Sequence, residues 1–535
     1  MSDIKYIDCY ASIGKWAEKD RDAPWTTERM LADMERCGIH GALVYSNFAK
    51  ELQPSVGNEQ VLDTCRKNPR LIPCWVGLPH HCGDAPEGTR FVERMIAEGV
   101  KAVKLFPRMH RYRLDDVTVG SLLGSMEEAG IPMIIDRAEN DPGVEQITWD
   151  ELEMLLNRYP RLNIILHHVR WELTRLLLPL AQRYKRLHFE FSNYQANRII
   201  DFMVEKIGAD QLLFGTQMMD KSPGAAKAFV DYADISDADR KKIAGGNLIR
   251  LLKLENIPVD YPQKDIDDKI LLKAMNAEPI DDMEVIDAHA HHMKKDHHDN
   301  VIAFMPKSDA AGIVERNNRL GVDITITSSW TGIWSDYVEG NIITRDAIRE
   351  FPEQIIGYAA LDPRYVVDWT RELKLCYEEY GMMGMKPYFP RNKVPYNDPS
   401  YKEWYDYGNR HRLFALMHWS ENFVAEMEDL AKRYPKINFL LAHSGMLYET
   451  ARNYVALAKQ FKNVHLEITY TAVKNGIIEY MVDGVGSERV IYGSDTVMRD
   501  PYPQFGWVAY ADISEAEKRN IFGINMRKIL DTCTI

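Results

Sequence analysis

The chain of 535 residues repeats itself, and this internal duplication constrains its fold more than any other feature. The pentapeptide YADIS occurs at Tyr232–Ser236 and again at Tyr510–Ser514. RYPRLNIILHH at Arg158–His168 matches RYPKINFLLAH at Arg433–His443, and further pairs such as YIDCYAS with VIDAHAH keep the same order. The offsets stay between 275 and 282 residues, which predicts a tandem duplication of a unit of about 260 residues.

Each copy contains eight short apolar runs separated by longer amphipathic stretches, an alternation typical of parallel α/β folds. Runs such as NIILH and NFLLAH are apolar throughout, as expected of strands covered by helices outside and by a barrel core inside. Eight such units in about 250 residues predict a (β/α)8 barrel, so we expect an α/β chain of two tandem TIM-type barrels. The alternative is a pair of open doubly wound sheets, but no GxGxxG motif follows the first strand of either copy.

The duplication also predicts the domain boundaries. We place the first barrel at residues 1–255 and the second at residues 284–535. Residues 256–283 would form a linker that contains Pro and Asp residues and one helix-like stretch, DDKILLKAMN. The length agrees, because one ordinary domain has only about 100–200 residues.

Composition narrows the class of partner. The net charge is −13 and no dense run of Lys or Arg occurs, so nucleic acids and anionic membrane surfaces are not expected as partners. No uncharged apolar run approaches the ~18 residues that span a bilayer, and the start MSDIKYIDCYASIG lacks the apolar core of a signal peptide. The seven cysteines are scattered without a CxxC pair, which favours a reducing cytoplasm and argues against a thiolate zinc site.

Chemically active residues of the second copy fall at the predicted strand ends, where barrel enzymes place their catalytic groups. His289 and His291 lie on the first strand and point the same way, since side chains alternate along a strand with a period of two. Neutral imidazoles and one carboxylate are donors that Zn²⁺ prefers at a catalytic site. A lone histidine at a barrel rim is ordinarily structural, but the joint set indicates a metal centre. The set comprises His289, His291, Lys386, His418, His443 and Asp495.

The motifs IDAHAH, LMHWS, LLAHSG and YGSD resemble those of the amidohydrolase superfamily. The resemblance is strongest to the subgroup of aminocarboxymuconate-semialdehyde decarboxylase and related lactonases and decarboxylases. It covers residues 284–535 in motif order and extends, as fold only, across the first copy. It implies one divalent metal ion, usually zinc with manganese as an alternative. It also implies the ligands His289, His291, His418 and Asp495, with His443 as the catalytic histidine.

Chemical roles follow for two of these residues. A bound metal ion lowers the pKa of its water towards neutrality. We expect Asp495 to take up a proton as that water attacks, and His443 to polarise the substrate carbonyl or to stabilise developing oxyanion charge.

The first copy lacks most of the candidate ligands. At the positions of the HxH pair, of His418 and of Asp495 it has other residue types, and only the match to His443 is a histidine. Without three or four ligands we expect a non-catalytic barrel, and a histidine kept in such a site can serve packing alone. The matching residues are Tyr10, Ser12, Asp136, Gln217 and His168.

Substrate contacts are harder to predict. Lys386 matches the lysine that bridges two metal ions in binuclear members of the superfamily, but the first copy keeps Lys104 without ligands, which favours an ion pair or a substrate-anion contact. Arg can hold a carboxylate through a bidentate fork, and Trp and Tyr offer flat apolar faces, although packing at the rim is the alternative. The candidates are Lys386, Arg364, Trp330, Tyr388 and Trp419, with Arg391 and Arg499 also near strand ends.

These residues predict a metal-dependent hydrolase that opens a lactone, amide or related carbonyl bond of a small carboxylated molecule. The alternative is a non-oxidative decarboxylase of an unsaturated or aromatic acid with the same ligands, and a non-catalytic binding protein is a third reading. Some decarboxylases of the subgroup have Glu in place of the first His, so His289 favours hydrolysis or the semialdehyde-decarboxylase type.

The first barrel could serve as a partner within the chain. Related barrels pair as homodimers, so we expect an intrachain pseudo-dimer, with further homo-oligomerisation as an option. Arg170, Trp171 and Arg175 follow His168 and are candidates to contribute to the active mouth. The other expected partner is the small-molecule substrate.

Overall fold

The computed structural model describes residues 4–17, 19–137, 145–255 and 266–535. The chain divides into two compact units. The first consists of the described part of Met1–Asp265 together with Val301–Phe304, and the second consists of Ile266–Asn300 together with Met305–Ile535. Part of the predicted linker, residues 256–265, lies outside the described residues. Within its remainder, the stretch DDKILLKAMN contains a helix at Lys269–Asn276.

Each unit contains one eight-stranded parallel sheet whose strands follow sequence order. The two tandem (β/α)8 barrels expected from the sequence are thereby confirmed. In the first unit the strands β1 to β8 are Tyr6–Ile13, Ile39–Ser46, Leu71–Val76, Ala102–Leu105, Met133–Asp136, Ile164–His167, Leu187–Glu190 and Leu212–Leu213. In the second unit β9 to β16 are Ile286–His292, Ile324–Ser329, Ile355–Ala359, Gly384–Met385, Phe414–Met417, Asn438–Leu441, Val464–Glu467 and Val490–Ile491.

Hydrogen bonds between the first strand and the residue that directly follows the last strand close each sheet into a barrel. In the first unit, Cys9 N donates to Phe214 O at 2.9 Å. In the second, Ala288 N donates to Tyr492 O at 3.0 Å, and Ala290 forms a further parallel bridge with Thr496. Closure removes the free edges that an open sheet would expose.

Helices follow the strands in both units. Many begin at a side-chain cap, such as the capping box of Thr148 and Glu151, and several end at a left-handed glycine such as Gly38. The first unit has helices at Thr27–Cys37, Asn47–Glu51, Pro54–Lys67, Gly88–Glu98, Asp116–Ala129, Trp149–Arg158, Thr174–Arg183, Ile199–Ile207, Pro223–Asp231, Asp237–Lys241 and Asn247–Leu252. The second has Lys269–Asn276, Ala310–Asn318, Trp330–Trp334, Tyr337–Glu350, Trp369–Leu373, Phe389–Asn392, Lys402–His411, Phe423–Arg433, Tyr448–Gln460, Ile477–Val485, Pro501–Ala509, Glu515–Arg519 and Asn525–Leu530.

The strands are buried on both faces, as their composition predicts. Ile164, Ile165 and Leu166 of β6 are fully buried, and so are Phe439, Leu440 and Leu441 of β14. Burying each such side chain stabilises the fold by about 1.5–3 kcal/mol relative to leaving it exposed. Each barrel interior is therefore a packed core, and the space available for chemistry lies at the mouth.

Candidate metal centre

Four histidines and one aspartate meet at the carboxyl-terminal mouth of the second barrel. Possible ligand atoms of His289, His291 and Asp495 lie within 4.8 Å of one another, and so do those of His289, His418 and His443. His289 belongs to both groups, and its ring centroid lies 5.1–5.3 Å from those of the other three histidines. The side chains singled out in the sequence are thus brought together around His289.

Two of these side chains follow sharp left-handed turns. His443 and Asp495 lie beyond the ends of β14 and β16, with φ of 63° and 62°. Such a backbone is uncommon for residues other than glycine and carries strain of order 1–3 kcal/mol. Gly493 is needed beside them, because a Cβ there would lie 2.7 Å from the Cβ of His289. The turns redirect both side chains into the mouth.

Two neighbours fix the tautomer of His289. Its Nδ1 lies 2.9 Å from Oε2 of Glu467, and Nζ of Lys386 lies 3.2 Å from its Nε2. Both oxygens of Glu467 also accept backbone N–H groups, from His443 and Thr469, which is the pattern of a carboxylate, so Nδ1 of His289 carries the proton that it donates to Glu467. The Lys386 amino group donates to Nε2, which therefore presents a lone pair. Burial, reinforced by the charge of Lys386, lowers the pKa of His289 well below its ordinary value and keeps the ring neutral.

Asp495 divides its two oxygens between different partners. Oδ1 lies 3.2 Å from Nε2 of His291 and 3.7 Å from Nε2 of His289. Oδ2 accepts a hydrogen bond from Nη1 of Arg499. Burial alone would raise the pKa of Asp495, but the charge of Arg499 and the hydrogen bond from His291 hold it well below its ordinary value. Asp495 therefore presents an ionised oxygen to the histidines.

His443 is held by its backbone and by its ring. The backbone N–H donates to Oε2 of Glu467 at 3.3 Å, and Nδ1 lies 2.7 Å from the carbonyl oxygen of Thr469. A carbonyl oxygen only accepts, so Nδ1 carries the proton and Nε2 is left to accept a proton or to bind a metal ion. Burial lowers the pKa of His443, which keeps the ring neutral.

His418 differs because its buried Nδ1 has no hydrogen-bond partner among the residues that the structure describes. Its ring packs edge-on against those of His289 and His443 at 5.1 and 4.9 Å. A buried polar nitrogen without a partner costs about 1–3 kcal/mol, which favours binding of a group that the protein does not supply. With the lone pair of His289 and the carboxylate of Asp495, this donor set fits a divalent metal ion.

Lys386 is fully buried against the same cluster. Burial lowers its pKa to about 7, while the charges of Asp495 and Glu467 oppose that shift. Among the described residues no carboxylate lies within ion-pair distance of its ammonium, and its close polar neighbour is His289. The ion pair considered from the sequence is therefore not formed, and the contact to a substrate anion stays a prediction.

A cleft of 210 Å³ opens beside the cluster. Of the predicted substrate contacts, Trp330, Tyr388 and Trp419 line it, with the Trp330 ring 5.4 Å from that of His291. Arg364 does not reach this cleft: it lines a neighbouring cavity, and its Nη2 lies 2.5 Å from Oδ2 of the adjacent Asp362.

Sequence reasoning missed two buried carboxylates that support the cluster. Glu467 also accepts hydrogen bonds from the N–H and the hydroxyl of Thr469, so both of its oxygens are occupied. Asp287 accepts the N–H of His289 at 3.1 Å and that of Ser494 at 3.0 Å. The repeat contained the signal, because the same Glu recurs in HFEFS and HLEIT and the same Asp in YIDC and VIDA.

The corresponding mouth of the first barrel is built differently. Nζ of Lys104 lies 2.8 Å from Oδ1 of Asp136 and 3.1 Å from Nδ1 of His167, whose ring stacks on Tyr10 at 4.1 Å. Within the described ranges, both groups of residues that could hold a metal ion lie in the second barrel.

The fold and this site define a class: TIM-barrel proteins with a histidine and aspartate cluster at the carboxyl-terminal mouth. A sequence model of the amidohydrolase family matches residues 11–254 and again residues 286–532, so the chain belongs to the amidohydrolase family and carries its domain twice. The resemblance and the tandem duplication inferred from the motifs are confirmed.

Solved structures match one barrel at a time and at low identity. An uncharacterised TIM-barrel protein from Bordetella bronchiseptica is 20% identical, with a TM-score of 0.40, over 47% of this chain and 99% of its own. A 2,6-dihydroxybenzoate decarboxylase from Rhizobium is 17% identical, with a TM-score of 0.38, over 47% and 100%. A probable 2-pyrone-4,6-dicarboxylic acid hydrolase from Acinetobacter baumannii is 14% identical, with a TM-score of 0.38, over 46% and 100%.

No curated protein matches the chain significantly. Within the described part of the chain, no helix combines the length and the apolar character that a membrane crossing requires.

Proposed function

We propose that the second barrel is a metal-dependent hydrolase that opens a lactone, amide or related carbonyl bond of a small carboxylated molecule. One observation carries the proposal: neighbouring residues fix the tautomers of His289 and His443 so that each has an unprotonated Nε2 within one buried cluster. One unprotonated nitrogen is thus placed to bind the metal ion and another to accept a proton, which reduces the reorganisation needed before reaction.

We propose zinc as the metal ion, with manganese as the alternative, because neutral imidazoles and one carboxylate match the preference of zinc. His289, His291, His418 and Asp495 would hold it. When bound, the ion would supply Lewis acidity to a carbonyl group or to water.

The hydrogen bonds support an exchange of the two catalytic roles expected from the sequence. His443 commits its Nδ1 proton to Thr469, so its neutral ring can only accept a proton, through Nε2. Asp495 is a weak base, because Arg499 holds its second oxygen and its pKa is low. We therefore assign proton uptake from the attacking water to His443, and we assign to Asp495 the role of an orienting ligand.

We also propose that the first barrel, residues 1–255, is non-catalytic. Its mouth holds the Lys104–Asp136 ion pair where the second barrel has its cluster. Catalysis would then belong to residues 284–535.

The reaction class can be tested in water enriched in ¹⁸O, with metal-loaded full chain and a panel of lactones, amides and unsaturated or aromatic acids. Hydrolysis places ¹⁸O in the product and releases no CO2. Release of CO2 without ¹⁸O in the product would replace the hydrolase with a decarboxylase. Turnover of nothing in the panel, despite tight binding of its members, would favour a binding protein and count against the proposal.

A further inference from the structure

A second cavity lies beside the cleft at the mouth of the second barrel. It has a volume of 390 Å³, and Tyr388 lines both spaces. Pockets that enclose small molecules usually have about 300–1,000 Å³, so the 210 Å³ cleft next to the histidines is small for a complete ligand. The adjoining cavity adds 390 Å³ of space next to this cleft.

A row of aromatic side chains connects the histidine and aspartate cluster to this cavity. The Trp330 ring lies 5.4 Å from that of His291, and the Trp334 ring lies 5.4 Å from that of Trp330. The guanidinium of Arg391 lies 3.9 Å from the centre of the Trp334 ring. Trp334 and Arg391 line the second cavity, while Trp330 lines the cleft.

Some charged side chains that line the second cavity are paired within the protein, and others are not. Arg364 is neutralised by Asp362, with Nε at 3.0 Å from Oδ1 and Nη2 at 2.5 Å from Oδ2. Asp336, another lining residue, uses its carboxylate to cap the helix Tyr337–Glu350. Lys386 also lines the cavity, and it has no carboxylate partner among the described residues.

Arg391 is the cation of this cavity that is placed to receive an anion. Its Nε donates to the carbonyl oxygen of Trp334 at 3.3 Å, and its guanidinium lies over the Trp334 ring, so two contacts hold it in place. Within the described ranges it has no acidic partner, so its two terminal amino groups remain for a ligand. A guanidinium held in this way suits bidentate binding of a carboxylate.

We propose that the second cavity binds a carboxylate at the end of the substrate remote from the reacting bond, with Arg391 as its anchor and Trp334 supporting the guanidinium. This inference rests on the proposed function, and it narrows the substrate class to molecules with a carboxylate remote from the carbonyl that is attacked. Arg364, which the sequence suggested for such a contact, is already paired.

The test compares isophthalate with benzoate, which differ by one carboxylate, in calorimetric titrations of the metal-loaded full chain. We expect the chain to bind isophthalate about tenfold or more tightly than benzoate, because its second carboxylate can form charge-assisted hydrogen bonds with Arg391. Arg391→Met should remove this preference, and Arg391→Lys should restore part of it. The matched control Arg364→Met removes a cation from the same cavity and should keep the preference.

Three outcomes would overturn the proposal: no preference in the unmodified chain, a preference that survives Arg391→Met, or an equal loss in Arg364→Met. Arg391 is exposed, so its substitution should not unfold the chain. The same titrations on His289→Ala/His291→Ala separate the two proposals. There we expect Arg391→Met to weaken the binding of both acids, because a single carboxylate is enough to reach Arg391. If the unmodified chain also holds no metal ion after reconstitution, this result contradicts the hydrolase and still supports the carboxylate site.

Discussion

The two barrels share a buried frame but differ in the side chains at its centre. Asp8 in the first and Asp287 in the second each accept two backbone N–H groups at 2.8–3.1 Å, from the first strand and from the loop after the last strand. Glu190 and Glu467 each accept the N–H of the left-handed histidine that follows the sixth strand, where φ is 60° and 63°.

At the centre the first barrel carries its own cation. The Lys104 ammonium lies 2.8 Å from Asp136 and 4.2 Å from the centre of the Tyr10 ring. In the second barrel, histidines stand at the positions of Tyr10 and Asp136, and Lys386 has no carboxylate partner among the described residues. The first mouth thus has an ion pair at its centre, and the second has donors that suit a metal ion.

The same frame occurs in both barrels, so its presence alone does not indicate catalysis. His168 keeps the turn, the hydrogen bond and the position of His443 without a ligand set around it. A histidine at this turn therefore does not by itself indicate a catalytic site. Only the complete set of possible metal ligands in the second barrel indicates one.

The largest expected effect is on kcat, and it distinguishes His443 from its counterpart His168, both of which have a left-handed backbone conformation. His443→Gln should lower kcat by about 10²–10⁴-fold, the usual contribution of a general base, because an amide cannot take up the proton. His168→Gln is the matched control and should leave kcat unchanged. Steady-state kinetics with the best substrate of the panel, with metal content measured in parallel, checks this. Equal losses in both variants would remove the distinction between the barrels.

The next effect concerns the two lysines. Lys104→Met leaves Asp136 buried and unpaired, so we expect the free energy of unfolding of the first unit to fall by about 3–5 kcal/mol. Lys386→Met breaks no ion pair and should cost less. Calorimetric unfolding of the full chain checks both, and Lys104→Met/Asp136→Leu should recover most of the loss. An unchanged free energy of unfolding in Lys104→Met would show that this ion pair does not stabilise the first unit.

The smallest effect concerns the paired glutamates. Glu467→Gln weakens the hydrogen bond that orients His289, and such substitutions typically cost about 10–100-fold in metal affinity. Glu190→Gln should leave metal affinity unchanged. Competition with a chelator measures the affinity, and the melting temperature serves as the control, since both glutamates hold equivalent turns. A loss of affinity in Glu190→Gln would place a metal ion in the first barrel.

The order of the strands and the placement of the first two candidate ligands can be predicted from the sequence. The repeat and the apolar runs predicted sixteen strands in order, because parallel strands buried on both faces leave a strong local signal. The period of two placed His289 and His291 on one side of β9. The rest required the fold: β16 ends at Ile491, and a left-handed turn, not the strand, brings Asp495 to the histidines.

Contacts between distant segments were beyond the sequence. The bond from His289 to Glu467 joins β9 to β15, and no local pattern reports it. The neutralisation of Arg364 by Asp362 depends on side-chain conformation, as does the stacking of Arg391 on Trp334. Spacing alone therefore could not show which of the two arginines is already paired.

The most direct test of the account is the metal content per chain, measured by plasma mass spectrometry on protein purified without an affinity His-tag. We predict about one equivalent of zinc or another divalent ion, lost in His289→Ala/His291→Ala and kept in the matched variant Tyr10→Ala/Ser12→Ala. About two equivalents, one equivalent that survives the histidine substitutions, or no metal even after reconstitution would contradict the assignment of a single metal centre to the second barrel.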